Sequence, residues 1–438
     1  MSQSQESHLT IGVDEPISTP QSIFLGIQHV LAMDVYVVPF IIASALSLSP
    51  ASSSSLIQAT FLAAGIGTLI QTFLFMKIPI AQGPSFIPIG AIVGVYFANQ
   101  TGDMGWGTVL GASLVGAVLV TLLGLTGMFH KLVDSFIPPI VGGTIIYVVG
   151  LSLIPVALTD NIFNAPGDIN QNLLIAIITS ATLITLTMLG TKLGNKGRIF
   201  RVSSVIIALI VGSVVSQLLG VLDLSAVNDA PLFSLPQLAL FHTPLHFDLS
   251  AILTMIIIYV VLLAETTGTW FAISKVTDTE LKPETINRGV IGEGISCMLS
   301  ALLGSTPVTG YSTNAGIISI TGVASKKVFG AAGVWFIIFG FSGKLAMLIS
   351  SIPSSVIGGV FVVVCGIIAT SGMQVIKEVP IHEKQMYIIS IPMIVALGLI
   401  LIPKDFIQTL PDFVQYLFSS PIATASIVAI VLNKVLPD

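Results

Sequence analysis

Runs of apolar residues about 20 positions long, interrupted by Gly, Pro, Asn and charged residues, recur along the whole chain. A transmembrane helix needs about 20 predominantly apolar residues, so each run has the length of one membrane passage. The pattern predicts an all-α polytopic membrane protein with about fourteen transmembrane segments. Their approximate centres lie near residues 34, 65, 89, 118, 147, 180, 211, 261, 295, 314, 337, 362, 394 and 421.

Composition supports this prediction. Hydrophobic residues make up 54% of the 438 positions and charged residues only 8%, whereas soluble domains carry about 25% charged residues. The lipid bilayer is therefore the expected surrounding, and the formal charge of -5 does not indicate a nucleic acid partner. Cys297 and Cys365 fall within apolar runs and lack metal-ligand spacing, so no disulfide, metal site or cofactor is predicted.

The positions of the basic residues predict the orientation of the segments. Residues 1–19 are polar, contain no Lys or Arg and have no apolar core, so they are interpreted as a cytoplasmic tail and not as a signal peptide. With both termini in the cytoplasm, all of the 16 Lys and Arg residues except Lys344 and Lys404 fall in cytoplasmic connections or at the C-terminus. Basic loops resist translocation, so this arrangement favours a multi-pass protein of the cell (inner or plasma) membrane.

Two Gly-rich segments indicate an internal repeat. The glycines at 142, 143 and 150 in Ile137 to Ile154 align with those at 358, 359 and 366 in Ile352 to Thr370 at one constant offset. The two copies begin segments five and twelve, and an odd displacement of seven segments inverts one half relative to the other. The chain is therefore predicted to form two inverted repeats of seven segments, a recurring transporter plan.

Segments three and ten do not look like ordinary helices. Ala81 to Gly94 and Gly304 to Gly322 combine prolines with clustered Gly, Ser and Thr residues. Proline breaks the helical ladder, and backbone groups freed at membrane depth are tolerated only where protein or a water-filled cavity satisfies them. These two broken segments are therefore predicted to contain the binding site.

One carboxylate, Glu265, lies in the apolar run from Leu249 to Ile273, where the only other ionisable side chain is Tyr259. An ionisable group at membrane depth is costly and usually faces a polar cavity that serves transport or proton movement. The alternative is a side chain that extends to the interface, but Glu reaches less far than Lys or Arg. Glu265 is therefore the leading functional candidate.

Residues Gly304 to Ser325 resemble the signature region of the nucleobase-ascorbate transporter family, also called nucleobase/cation symporter 2, which includes the xanthine/uracil permeases. The family pattern is Asn-x-Gly, four variable residues, and Thr followed by Arg, Lys or Gly, and it is matched by Asn314, Gly316, Thr321 and Gly322. Four further segments agree in order along the chain: Gly26 to Met33, Gln82 to Phe86, Ala264 to Thr269 and Arg288 to Gly294.

The resemblance implies a fold as well. It implies fourteen segments in two inverted halves, short β-strands inside segments three and ten, and a homodimer. It also implies a core domain of segments one to four and eight to eleven, residues 20–130 and 246–350. The remaining segments form a gate domain, residues 131–245 and 351–438.

By position, Glu265 matches the substrate-binding carboxylate of the family. A carboxylate can accept two adjacent N–H bonds from the edge of a nucleobase, and such charge-assisted hydrogen bonds are strong. Thr269 shares the helix face of Glu265, at a position where relatives commonly carry His or Asp, and Thr313 stands where nucleobase carriers generally have Gln or Glu. The other predicted contacts are polar groups and stacking rings: Ser85, Phe86, Tyr311, Ser312 and Asn314.

Microbial relatives suggest proton symport. Glu265 is then expected to take up a proton in one access state and to release it in another. His29, Asp34 and Glu293 are further candidates for proton coupling. Sodium is the alternative, because Asp34 with nearby threonines could supply oxygen ligands, but a proton is the simpler interpretation.

The predicted function is secondary active import of a nucleobase by alternating access. Thr321 to Ser325 is more similar to xanthine and urate carriers than to uracil carriers, so a purine is favoured and uracil remains open. An anion carrier of the same architecture, for sulfate or dicarboxylates, is the alternative, although anion sites favour helix N-termini and often a basic residue. The chain has no HExxH, GxSxG or P-loop motif, so an enzyme is not predicted.

Overall fold

Helices form most of the computed structural model, which describes residues 9–99, 101–311, 313–407 and 409–437. The strands are β1 (Gln82–Pro84) and β2 (Val308–Gly310). Two π-helical segments, Ile70–Phe75 and Val156–Phe163, follow α3 and α7, and a 3-10 turn, Gly194–Gly197, precedes α9. The α-helices are α1 (Thr19–Ala32), α2 (Val37–Ala45), α3 (Pro50–Leu69), α4 (Ile89–Ala98), α5 (Asp103–Thr126), α6 (Phe129–Phe136), α7 (Pro139–Ser152), α8 (Ile169–Lys192), α9 (Arg198–Leu218), α10 (Ser225–Asp229), α11 (Ala239–His242), α12 (Leu249–Thr277), α13 (Pro283–Leu303), α14 (Thr313–Thr321), α15 (Lys326–Gly340), α16 (Gly343–Ser350), α17 (Ser354–Lys377), α18 (Glu383–Leu401), α19 (Lys404–Ile407), α20 (Asp412–Ser419) and α21 (Pro421–Val435).

Eight helical segments of the described chain are long and apolar enough to cross a membrane. The number is nine if α15 and α16, which meet at an angle of 79°, form one segment. Shorter apolar helices are α4, Ser203–Leu218 within α9, and α21. The prediction of a helical polytopic membrane protein is therefore confirmed, whereas the count of fourteen segments is not established by length and hydropathy alone.

The first predicted segment is interrupted in its middle. Helix α1 ends at Ala32 and α2 begins at Val37, so Asp34 lies in the break and not on a helix. Pro39 lies in the first turn of α2, where its missing N–H needs no helical acceptor. The sequence predicted breaks in segments three and ten only, so this interruption of the segment centred near residue 34 was missed.

The predicted strands in segments three and ten are confirmed. β1 and β2 pair antiparallel, with Gln82 opposite Gly310 and Pro84 opposite Val308. A short helix follows each strand, α4 after β1 and α14 after β2. Gly83 is required by packing, because a Cβ there would lie 2.4 Å from Cδ2 of Tyr311.

The helices pack in two groups, and the strands lie in the first. In one group α13 packs against α5 and α3, and α15 packs against α3 and α1. In the other, α17 packs against α7 and α8, α8 against α9, and α18 against α21. α12 contacts both groups, through α5 in the first and α7 and α21 in the second.

The N-terminal residues do more than precede α1. The N–H groups of Thr10 and Ile11 donate to the carbonyl of Gly322 at 2.7 and 2.9 Å, and Ala324 N–H donates to Ile11 O at 2.9 Å. The side chains of Lys326 and Asp14 form an ion pair. Residues 9–17 therefore hold the connection between α14 and α15, a role that the polar composition of this segment did not predict.

Candidate binding site

Glu265 lies on α12, a helix that an aspartate begins and another ends. The Asp248 side chain accepts a hydrogen bond from Ala251 N–H at 2.8 Å at the start, and Asp278 ends the helix with a left-handed φ of 50°. The Glu265 side chain is half-buried. Its Oε2 accepts a hydrogen bond of 2.6 Å from the Ser85 hydroxyl, so the two predicted residues are in direct contact.

Ser85 and Phe86 follow directly after β1. Ser85 N–H donates to Pro307 O at 3.3 Å, and the Ser85 hydroxyl accepts from Ile87 N–H at 3.1 Å. These bonds tie the residue to both broken segments and hold its hydroxyl toward Glu265. The Phe86 ring stacks on the ring of Phe361 from α17, with centroids 5.8 Å apart and planes inclined by 18°. The aromatic surface of the site therefore includes a residue that the sequence did not single out.

Tyr311 connects the other strand to the break between α1 and α2. Its hydroxyl donates to Asp34 Oδ1 at 2.8 Å, and its backbone N–H donates to Ala81 O at 2.9 Å. Both side chains are buried. Asp34 is therefore a second carboxylate close to the paired strands, and Tyr311 of the signature region holds it there.

Three threonine and asparagine candidates have different surroundings. Thr269 is buried, and its hydroxyl donates to the backbone carbonyl of Glu265 at 3.3 Å. Thr313 is exposed at the start of α14. The Asn314 side chain is buried and donates to Pro79 O at 3.1 Å, so its amide stabilises the backbone before β1. Ser312 lies outside the described residues.

Glu293 is buried within a network of hydrogen-bond donors. Its Oε2 accepts from the side-chain amides of Gln71 at 2.9 Å and Gln82 at 3.1 Å. Its Oε1 accepts from Gly310 N–H at 3.1 Å, and the same N–H donates to Thr266 Oγ1 at 3.0 Å. Glu293 therefore joins α13, the π-helical segment after α3, and both strands.

His29 lies on α1, away from the contacts made by Glu265. Its Nδ1 is 2.9 Å from Leu25 O, one turn earlier on the same helix. Its ring meets the ring of Phe329 edge to face, with centroids 5.0 Å apart. These contacts hold a fully buried imidazole between α1 and α15.

The residues that the sequence missed are mostly polar side chains in apolar runs. Gln71 and Thr266 could have been singled out on that ground, because a buried amide or hydroxyl needs a partner. Phe361 carried no such signal. Among the described residues, no group of three or more His, Cys, Asp or Glu side chains could hold a metal ion.

Known proteins resemble this chain over almost its full length. Residues 20–405 match the model of the xanthine/uracil permeases, described as a permease family. A Clostridium perfringens protein (strain 13 / Type A) that bears the provisional name of a purine permease is 33% identical over 442 residues, covering 99% of this chain and 94% of its own length. The xanthine permease of Bacillus subtilis (strain 168) is 29% identical over 422 residues, covering 95% of this chain and 93% of that protein.

A solved structure with the same fold is the transmembrane domain of the cyanobacterial bicarbonate transporter BicA. The TM-score is 0.60 at 14% sequence identity, and the match covers 96% of this chain and 100% of that domain. At this identity the likeness concerns the fold alone.

Proposed function

This chain belongs to the xanthine/uracil permease family, and on that premise we propose that it imports a purine base, of the xanthine or urate kind, by proton symport with alternating access. The purine class rests on Thr321 to Ser325 and on the names of the relatives described above. The broader assignment, a nucleobase permease and not an enzyme, follows from the family itself.

The contact between Ser85 and Glu265 is the observation that carries the proposal. An ionised carboxylate has about four lone-pair directions, and Ser85 is the hydrogen-bond donor found for Glu265 among the described residues. Acceptor capacity is therefore left for the N–H groups of a base. Phe86 and Tyr311 follow β1 and β2 and supply aromatic faces for a base.

Exposed faces on α12 and α14 support access to this site from one side of the membrane. Gly268, Ala272 and Lys275 are exposed and follow Glu265 at intervals of three or four residues, so they share its helix face. Among the α14 residues whose burial is described, the exposed ones are also small or polar: Thr313, Gly316 and Ser319. α14 packs against α12. These faces lead from Glu265 toward Lys275, on the side that the basic residues assign to the cytoplasm.

Proton coupling is assigned first to Glu265, because its carboxylate is half-buried and lies on the same helix face as the exposed residues of this path. Asp34 is the second candidate through its bond to Tyr311. Glu293 and His29 act at a distance in this proposal, Glu293 by positioning the strands and His29 by its place between α1 and α15.

The repeat-related elements meet each other, which supports fourteen passages in two inverted halves. β1 pairs antiparallel with β2. α7 and α17 cross so closely that a Cβ on Gly150 would lie 2.4 Å from the backbone nitrogen of Ala369. In this arrangement nine passages are those counted above, with α15 and α16 as one. The other five are β1 with α4, β2 with α14, and the helices α9, α13 and α21. The division into core and gate domains, the cytoplasmic termini and the homodimer are parts of the same proposal.

Uptake in proteoliposomes tests the proposed function. Radiolabelled xanthine is expected to accumulate when a proton gradient is imposed and not when a sodium gradient replaces it. Competition by purines, pyrimidines and ascorbate then defines the base. Uptake of labelled sulfate without uptake of any base would favour the anion carrier instead.

A further inference from the structure

A large apolar cavity lies apart from the Glu265 site. Its volume is about 900 Å³, and α1, α9, α15, α16 and the segment after α9 contribute its walls. None of the described candidate substrate residues lines it. The volume is within the range of cavities that hold ligands, about 300–1,000 Å³.

The cavity is open at the protein surface, on helices that are expected to face lipid. Four of its lining residues are large, apolar and more than two-fifths exposed: Leu31 (47%), Ile210 (57%), Val214 (54%) and Leu348 (44%). They lie on α1, α9 and α16, helices of a membrane-embedded chain, so hydrocarbon is the medium in contact with them. An apolar void next to lipid is expected to be filled, because unfilled walls lose their dispersion contacts.

Apart from Tyr36 and Ser213, the polar side chains that line this cavity lie at one end. Gln217 is on the last turn of α9, and Asp223, Ser225 and Asn228 follow it directly. The Asp223 carboxylate accepts a hydrogen bond from Ser225 N–H at 2.8 Å, which lowers the pKa of Asp223 and keeps it ionised at neutral pH. A long apolar wall with a negatively charged polar end fits an amphiphile whose head carries a positive charge.

We propose that this cavity binds a bilayer phospholipid with an ammonium headgroup, of the phosphatidylethanolamine kind. One acyl chain lies along α9 and α16, and the ammonium group meets the carboxylate of Asp223. The amides of Gln217 and Asn228 donate to the phosphate. An anionic headgroup without an ammonium is disfavoured, because Asp223 repels it.

The cavity lies between α9 on one side and α1 and α16 on the other, elements from opposite sides of the proposed division into gate and core domains. Relative movement of these helices changes the shape of the cavity, so a bound lipid is expected to favour one arrangement over another. Lipid binding itself does not depend on the proposed substrate or on proton coupling, and it can be measured separately.

Native mass spectrometry of the full chain, released from nanodiscs of phosphatidylethanolamine and phosphatidylglycerol in equal amounts, tests the proposal. The wild-type protein is expected to retain phosphatidylethanolamine in preference. Ser213→Phe, which places a ring in the cavity from α9, is expected to reduce the retained lipid at least about tenfold. The matched control is Leu218→Phe, because Leu218 is on the same helix, is 81% exposed and does not line the cavity.

The headgroup preference has its own pair of variants. Asp223→Asn is expected to remove the preference for phosphatidylethanolamine, whereas Asp229→Asn, an exposed acid outside the cavity, leaves it unchanged. An unchanged thermal unfolding temperature confirms that each variant is folded. Equal lipid retention by Ser213→Phe and wild type would overturn the proposal. If Ser213→Phe lost dimers but kept its lipid, the proposal would also be overturned, because a second copy of the chain would then be the occupant of the cavity.

Discussion

Glu265 and Glu293 lie on consecutive helices and differ in what surrounds them. The Glu293 carboxylate is buried and accepts bonds from Gln71, Gln82 and Gly310 N–H. The Glu265 carboxylate is half-buried and accepts from Ser85. The two acids lie in comparable apolar helices, but Glu265 has more acceptor positions left for a new hydrogen-bond donor than Glu293.

This difference separates a structural carboxylate from a binding one. Three of the about four acceptor directions of Glu293 are already occupied. A ligand that displaced one of these buried donors would leave it without a partner, at a cost of about 1–3 kcal/mol. Glu265 can accept a ligand donor while it keeps its bond to Ser85. The comparison teaches that the number of donors already in place, and not burial alone, indicates which acid is available to substrate.

The largest effect is expected from Glu293→Ala. It leaves the amides of Gln71 and Gln82 and one backbone N–H without their acceptor, so the free energy of unfolding should fall by about 3 kcal/mol or more. Thermal unfolding of the purified protein in detergent measures this loss. Glu293→Gln retains one acceptor oxygen and should lose less. Unchanged stability in Glu293→Ala would remove the distinction between the two acids.

Tyr311→Phe should have the next largest effect. It deprives the buried Asp34 of its 2.8 Å hydrogen bond, a change worth about 1–3 kcal/mol. Tyr387→Phe is the matched control, because the Tyr387 side chain is 45% exposed and its hydroxyl supports no buried carboxylate. Unfolding of the two variants should differ by at least about 1 kcal/mol. Equal stability would mean that the bond to Asp34 contributes nothing.

Ser85→Ala should affect binding more than stability. Without the hydroxyl, Glu265 loses the donor that orients it, and the affinity for a base should fall roughly threefold to tenfold, equivalent to about 1 kcal/mol. Ser113→Ala is the control, because the Ser113 hydroxyl is buried with no partner found among the described residues. Equilibrium binding of labelled xanthine checks both variants. An affinity that improves in Ser85→Ala would show that the serine competes with substrate.

The smallest effect is expected far from both acids. The ion pair of Lys326 with Asp14 is partly exposed, with side chains 25% and 76% accessible, so it should contribute less than about 1 kcal/mol. A double-mutant cycle of Lys326→Ala and Asp14→Asn measures its coupling energy. A larger value would mean that the N-terminal residues stabilise the end of α14 through this pair and not mainly through their backbone hydrogen bonds.

The sequence predicted the elements whose signals are local. Prolines and glycines indicated where segments three and ten depart from helix, and the strands β1 and β2 lie there. The isolated acid in α12 was predicted to bind substrate; it contacts Ser85 of broken segment three, and its role stays a prediction. Both predictions use features that can be read within about 20 residues.

What the sequence could not predict depends on distant contacts. Glu293 and its partner Gln71 are 222 residues apart, and no local pattern indicates that they meet. Asn314 fits the family motif, yet its amide bonds to Pro79 O. The break at Asp34 was missed because the residues around it are apolar enough for a continuous helix.

Binding of labelled xanthine to purified wild type, Glu265→Gln and Glu293→Gln, with the unfolding temperature of each, tests the central claim most directly. Glu265→Gln should keep the wild-type unfolding temperature and lose about 10- to 100-fold in affinity, since a hydrogen bond to a charged group is worth about 1.5–3 kcal/mol. Glu293→Gln should lose stability first. Wild-type affinity in Glu265→Gln, with the whole loss of affinity in a fully stable Glu293→Gln, would contradict the assignment of substrate binding to Glu265.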